Sequence, residues 1–190
     1  MSDQAKGAVI IGASAGALEA LTVILASLPP RYPFPIFVIV HLPPKKRSVL
    51  AEIFGRKCQL RSIEAEDKEP VEAGVIYFAP PDYHLLLEGR GQISLSNEEE
   101  VLFSRPSIDV AFESAADAWG DKLTAIVLTG ANNDGAHGLA AVVRAGGKAI
   151  VQEPSGAYAQ AMPEAAIRAC PQAQIMTLPD ISTFLQNKSQ

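Results

Sequence analysis

Three residues, each placed just after an apolar run, have the types needed for nucleophilic catalysis: Ser14, His41 and Asp134. A serine hydroxyl is a weak nucleophile until a neighbouring base takes its proton, and the base works best when a third group fixes its tautomer and stabilises its cation. Ser14 sits in Gly12-Ala13-Ser14-Ala15-Gly16, which has the G-x-S-x-G spacing. In that pattern, glycines on either side let the backbone turn sharply and hold a hydroxyl at the tip of a strand. The start of a following helix would aim free N–H groups, and the positive end of its dipole, at an anion formed there. A helix cap is the simpler job for Ser14. His41 is a candidate general base, since imidazole exchanges protons near neutral pH; otherwise it is a strand-end histidine before a proline turn. Asp134 lies in Thr129-Gly130-Ala131-Asn132-Asn133-Asp134-Gly135 and is placed either to orient the imidazole or to cap the next helix. His84 and His137 are alternative bases, but neither follows a buried parallel strand.

The elements that must position these residues alternate along the chain. The run from Gly7 to Ala13 reads as a strand, and Leu18, Leu21, Leu25 and Leu28 follow at helical spacing until Pro29-Pro30 stops the pattern. Ile36 to Val40 is a β-branched run of the kind covered on both faces in a parallel sheet, with His41 at its carboxyl end. A short helix over 48–56 and a weak strand near 59–63 come next. Val75–Ala79, Tyr83–Glu88 and Gln92–Ser96 read as three short strands of an antiparallel excursion, with Gly89-Arg90-Gly91 as a hairpin turn. Ser107 is placed to cap a helix carrying Val110, Ala111, Phe112, Ala115 and Trp119. A strand over 123–128, a helix over 138–145, a strand over 148–152 and further helical and strand units near the C-terminus complete the alternation. The predicted fold is α/β: a doubly wound, mostly parallel sheet with helices on both faces and an antiparallel hairpin extension. Ligands of such sheets bind beyond the carboxyl ends of the strands, the edge that Ser14, His41 and Asp134 share.

Composition narrows the function classes. The 190 residues are 48% hydrophobic and 19% charged, which is globular, and the length suits one domain spanning 1–190. No apolar stretch has the length of a membrane span, so membrane insertion is not expected. Met1 to Lys6 is short and polar, without the features of a secretory signal, and cytoplasm is the expected compartment. A net charge of −5 argues against a nucleic-acid partner. Cys58 and Cys170 form no disulfide framework and read as buried thiols, and no spacing suggests a metal site. Gly12 to Ala17 lacks the later glycines of G-x-G-x-x-G and no phosphate-binding loop occurs, so no cofactor is expected; a dinucleotide-binding fold without cofactor is the weaker alternative.

With these stretches together, the sequence resembles the catalytic domain of the chemotaxis receptor methylesterases, the CheB family. Ile11-Gly12-Ala13-Ser14-Ala15-Gly16-Ala17-Leu18-Glu19-Ala20-Leu21 looks like the family's serine motif, Val40-His41-Leu42-Pro43-Pro44 its histidine motif, and Leu128-Thr129-Gly130-Ala131-Asn132-Asn133-Asp134-Gly135-Ala136 its aspartate motif. Secondary matches are Ala79-Pro80-Pro81-Asp82-Tyr83-His84, Arg105-Pro106-Ser107-Ile108-Asp109-Val110 and Met162-Pro163-Glu164-Ala165-Ala166.

The resemblance implies a serine hydrolase that demethylates glutamate methyl esters on methyl-accepting chemoreceptor helices and, in many members, deamidates glutamines. Ser14 is then the nucleophile, His41 the base and Asp134 the orienting acid. Where the family usually has threonine, Gly-Gly and methionine, this chain has Ala15, Gly16-Ala17 and Ala131, each keeping a backbone N–H for an oxyanion. No counterpart of the family's N-terminal phospho-receiver domain is expected, since the first strand is expected within a few residues of Met1; the expectation is then constitutive activity, control by a separate response regulator, or service in another pathway. A non-catalytic binding module that retains the methylesterase fold is the alternative class. An open, shallow cleft is expected for a substrate projecting from a helix, with Lys45-Lys46-Arg47 as an electrostatic attractant for its acidic region.

Overall fold

The computed structural model describes residues 5–43 and 45–189. Pro44, the second proline of the turn expected after His41, and residues 1–4 of the polar N-terminal stretch lie outside the described residues.

The first unit forms where the sequence reading placed it: β1 over Ala8–Ala13 and α1 over Ala17–Leu25, followed by β2 over Ile36–Val40. Helix α2 spans Leu50–Lys57, and β3 (Arg61–Glu64) and β4 (Val75–Phe78) follow. A hairpin of β5 (His84–Glu88) and β6 (Gln92–Ser96) precedes α3 (Ile108–Trp119). The second half contains β7 (Leu123–Val127), α4 (Ala136–Arg144), β8 (Lys148–Gln152), α5 (Ala161–Ala169), β9 (Gln174–Met176) and α6 (Leu178–Lys188).

Seven strands form one parallel sheet in the order β3-β4-β2-β1-β7-β8-β9. Successive strand side chains point to opposite faces, so a strand covered on both sides must be apolar throughout. β1 shows the division. Ala8 and Ile10 enter the core with Phe112 and Leu139 of α3 and α4, whereas Val9 and Ile11 enter the core with Leu21 and Leu185 of α1 and α6. Burying these faces removes apolar surface from water at roughly 25 cal/mol per Å².

One part of the sequence reading is corrected. Val75–Phe78 does not join the antiparallel excursion; it pairs in parallel with β2 and β3, and all four residues are buried. An unbroken apolar run suits a strand with two covered faces, while the mixed pattern of His84–Glu88 suits the hairpin. The hairpin is a separate two-stranded sheet, and its Leu85, Leu87 and Ile93 pack in the core that contains α3. A Leu87 N–H to Ser114 Oγ bond of 2.7 Å ties it to that helix. Of the two thiols, Cys170 is buried and Cys58 only partly so. No described helix is long and apolar enough to cross a membrane.

The strand order reverses direction between β1 and β7, so the connections leaving those neighbours diverge and open a crevice at their carboxyl ends. Backbone bonds from Leu128 N–H to the Gly12 carbonyl (2.9 Å) and from Ser14 N–H to the Thr129 carbonyl (2.9 Å) hold its two walls together. His41 N–H donates to the Ala13 carbonyl at 3.3 Å, placing the end of β2 alongside.

Candidate active site

Ser14 follows the last residue of β1 and does not cap α1. The cap position belongs to Gly16, at φ 84°, with no side-chain cap bond. Gly16 is there for two reasons: L side chains rarely adopt that φ, and an added Cβ would lie 2.6 Å from Cβ of Tyr158. The Ala17 N–H is spent on the Ser14 carbonyl at 2.9 Å, so of the three positions expected to offer a free N–H, this one does not. Those of Ala15 and Gly16 form no hydrogen bond among the described residues. Thr129 Oγ1 donates to the Ala15 carbonyl at 2.8 Å. Because the C=O and N–H of a trans peptide point in opposite directions, that bond also fixes the direction of the Gly16 N–H.

Asp134 is 1% exposed and does not cap the helix that follows it, where Gly135 is the cap residue. Its carboxylate instead sits at the start of α3. Oδ1 accepts from Ser107 Oγ (3.2 Å) and the Asp109 N–H (2.9 Å), and Oδ2 accepts from the Ile108 N–H (2.6 Å) and from Nε2 of His41 (2.7 Å). Burial alone would raise its pKa. The hydrogen bonds from His41 and from the Asp109 and Ile108 amides outweigh that and hold it below the ordinary carboxylate value. Asp134 is therefore an anion at neutral pH, and the bond to His41 is a charge-assisted one.

The Arg105–Val110 stretch, only a secondary motif of the sequence, supplies three of the four groups around that carboxylate. Asp109 returns the arrangement, its Oδ1 accepting from Gly135 N–H (2.9 Å) and Gly138 N–H (2.7 Å) at the start of α4. Burial and the nearby Asp134 charge push the Asp109 carboxyl upward, against the pull of those two amides. Ser107 caps α3 as its type suggested, accepting from Val110 N–H at 3.4 Å. What sequence could not signal is that the same hydroxyl faces Asp134, 27 residues away.

The alternative bases have other positions. His84 is buried, with Nδ1 accepting from the Ser107 N–H (3.1 Å) and Nε2 donating to the Glu99 carbonyl (2.9 Å). It braces the loop that holds Asp134. His137 is exposed on the first turn of α4, beside Asp109.

Ser14 and His41 line one open cleft of about 450 Å³, together with Pro43, Asn132, Glu100 and Phe103. Both ring nitrogens of His41 are engaged: Nε2 by Asp134, and Nδ1 by the Asn132 amide at 3.1 Å. A bond from the Ser14 hydroxyl to the ring is not among those formed. Lys45, Lys46 and Arg47 are exposed just beyond the Pro43 wall, with the Lys45 N–H donating to Asp82 at 3.0 Å. Among the described residues no group of three or more His, Cys, Asp or Glu side chains is arranged to hold a metal ion.

Known proteins share this arrangement of strands and loops. The solved Thermotoga maritima CheB methylesterase catalytic domain superposes with a TM-score of 0.91 at 30% identity, covering 96% of this chain and 98% of that one. A putative protein-glutamate methylesterase/protein-glutamine glutaminase of Leptospira interrogans is 42% identical over 175 residues, 92% of this chain and 91% of its own length. A Caulobacter vibrioides protein-glutamate methylesterase/protein-glutamine glutaminase is 33% identical over 187 residues, 96% of this chain and 54% of its own length. The CheB methylesterase family model matches residues 9–185, from the first strand to the last helix, and the chain belongs to that family.

Proposed function

We propose that this protein is a protein-glutamate methylesterase, a serine hydrolase that demethylates glutamate methyl esters on chemoreceptor helices and deamidates glutamines by the same route. The observation that carries the reading is the 2.7 Å bond between His41 and the buried Asp134 in the cleft that Ser14 lines. With Nε2 bound to Asp134, Nδ1 is the nitrogen that takes the Ser14 proton as Oγ attacks the side-chain carbonyl carbon. The free N–H groups of Ala15 and Gly16 at the start of α1 are suited to the resulting oxyanion. Collapse expels methanol, or ammonia from glutamine, with the proton returned from Nδ1. A water then gives its proton to Nδ1 and attacks the glutamyl-serine ester, and Ser14 leaves with that proton.

The cleft's outer wall suits a substrate on a helix surface. Phe103 is 97% exposed and Leu102 46% exposed, both at positive φ, on a loop that Arg105 ties back by donating to the Asn97 and Glu98 carbonyls. This apolar tip gives a receptor helix a contact beside the ester. The Glu100 carboxylate in the same wall disfavours a charged glutamate product and favours its neutral ester or amide. Residues 1–190 are read as one catalytic unit acting in the cytoplasm, with Lys45, Lys46 and Arg47 steering the acidic receptor segment.

Methanol release from methylated receptor membranes tests the proposal. Wild type should release it, and Ser14→Ala should lose activity by at least about 10⁴-fold with an unchanged fold. Equal rates for the two proteins would overturn it in favour of a binding module.

A further inference from the structure

The hydrogen bonds around His41 decide where each proton of the ring sits. The side-chain oxygen of Asn132 accepts the Asp134 N–H at 3.0 Å, so the other end of that amide, the end facing His41, is its NH₂ group. Asp134 as a carboxylate can only accept, so Nε2 of His41 carries the ring proton. The lone pair of the neutral ring is then on Nδ1, and the Asn132 amide donates into it at 3.1 Å. Nδ1 is also the nitrogen left to receive a proton from Ser14. Its lone pair is already occupied.

We infer that Asn132 is a positioning residue that holds the base in a resting state: its amide must leave Nδ1 before the Ser14 hydroxyl can engage it. The inference rests on the reading of Ser14, His41 and Asp134 given above. Two features argue for holding rather than for help in catalysis. Asp134 alone, through Nε2, already fixes the tautomer, so the amide adds nothing there. Asn132 is also only half-buried and lines the cleft, where an arriving substrate reaches it. One neutral hydrogen bond of ordinary length has to break before proton transfer, which corresponds to about a two- to tenfold lower rate of Ser14 activation.

The test uses Asn132→Ala and Asn132→Ser in the full chain. Serine keeps an oxygen that can accept the Asp134 N–H but is too short to donate to Nδ1, so it separates loss of the donor from collapse of the turn. Three readouts are taken: the rate at which a fluorophosphonate labels Ser14, kcat and KM for a small neutral ester, and the ¹⁵N resonance of His41 Nδ1. Both variants should label Ser14 about two- to tenfold faster and raise kcat in proportion at little-changed KM. Nδ1 should move downfield as it loses its donor. Unchanged labelling and an unchanged Nδ1 resonance would overturn the inference, and slower labelling with a shifted resonance would overturn it in favour of a catalytic helper. A wild type that neither labels at Ser14 nor loses esterase activity in Ser14→Ala would overturn the triad reading instead. The Nδ1 resonance would then decide alone whether Asn132 holds the ring.

Discussion

Three helices begin around the cleft, and they treat the N–H groups of their first turns in two ways. The starts of α3 and α4 are filled by the protein's own carboxylates: Asp134, from the loop before α4, sits on α3, and Asp109, from the first turn of α3, sits on α4. The start of α1 has a glycine cap with no side-chain partner, and the N–H groups of Ala15 and Gly16 beside it are free among the described residues. Helix N-termini attract anions in all three places. At α3 and α4 the carboxyl group belongs to the protein itself and is buried, so the two helices lock each other and the loop carrying Asp134. At α1 the position is left open, which under the proposed function suits an anion that exists only during the reaction, as preorganised stabilisation of a transition state requires. Rigidity on one side of the crevice and vacancy on the other are two uses of one backbone feature.

The comparison breaks most visibly at Asp134. Asp134→Asn puts an amide where four donors converge and leaves His41 without its anionic partner. Turnover should fall by about 10⁴-fold. The folded pKa of Asp134 is lowered, so its contribution to stability is full above the ordinary carboxylate range and is lost as pH falls through the folded value. Urea unfolding should therefore show wild type losing stability more steeply than Asp134→Asn below pH about 4, and parallel curves would contradict the assignment.

At the open corner, Gly16→Ala should cost about 1–2 kcal/mol of stability from the left-handed backbone, before Tyr158 is displaced. The Gly16 N–H would move with the strained turn, and a misplacement of about 1 Å costs on the order of 10² in turnover. Full activity in this variant would mean that the start of α1 does not serve the reaction.

The smallest effect is expected at Asp109. Its Oδ1 accepts both amides of α4, a role the oxygen of an asparagine retains, so Asp109→Asn should change stability at neutral pH by no more than about 1 kcal/mol. The sign with pH is opposite to that of Asp134. A raised folded pKa stabilises below the unfolded value and loses that contribution as pH rises through the folded one. Wild type should thus fall relative to Asp109→Asn as pH rises above the ordinary carboxylate value, measured by thermal unfolding.

Much of this architecture is encoded locally. Apolar runs of five or six residues, the helical spacing of Leu18, Leu21 and Leu25, and the small residues around Ser14 each act within a few positions of chain, so strand, turn and helix could be read in order. The alternation placed Ser14, His41 and Asp134 on one edge for the same reason. The sheet that Val75–Phe78 joins is not encoded in this way, because membership of a sheet depends on neighbours far along the chain, here β2 and β3. Only the tertiary structure decided which helix Asp134 caps, since its donors are 25 to 27 residues away, and that His84 braces Ser107 while His41, 93 residues from Asp134, faces the acid. Cap residues carry the same local signal whichever helix start they meet. The partner is selected by sheet order and packing, which bring distant loops to one crevice, and so it is there, and not in the run of residues, that an ordinary capping aspartate becomes the hydrogen-bond partner of a histidine.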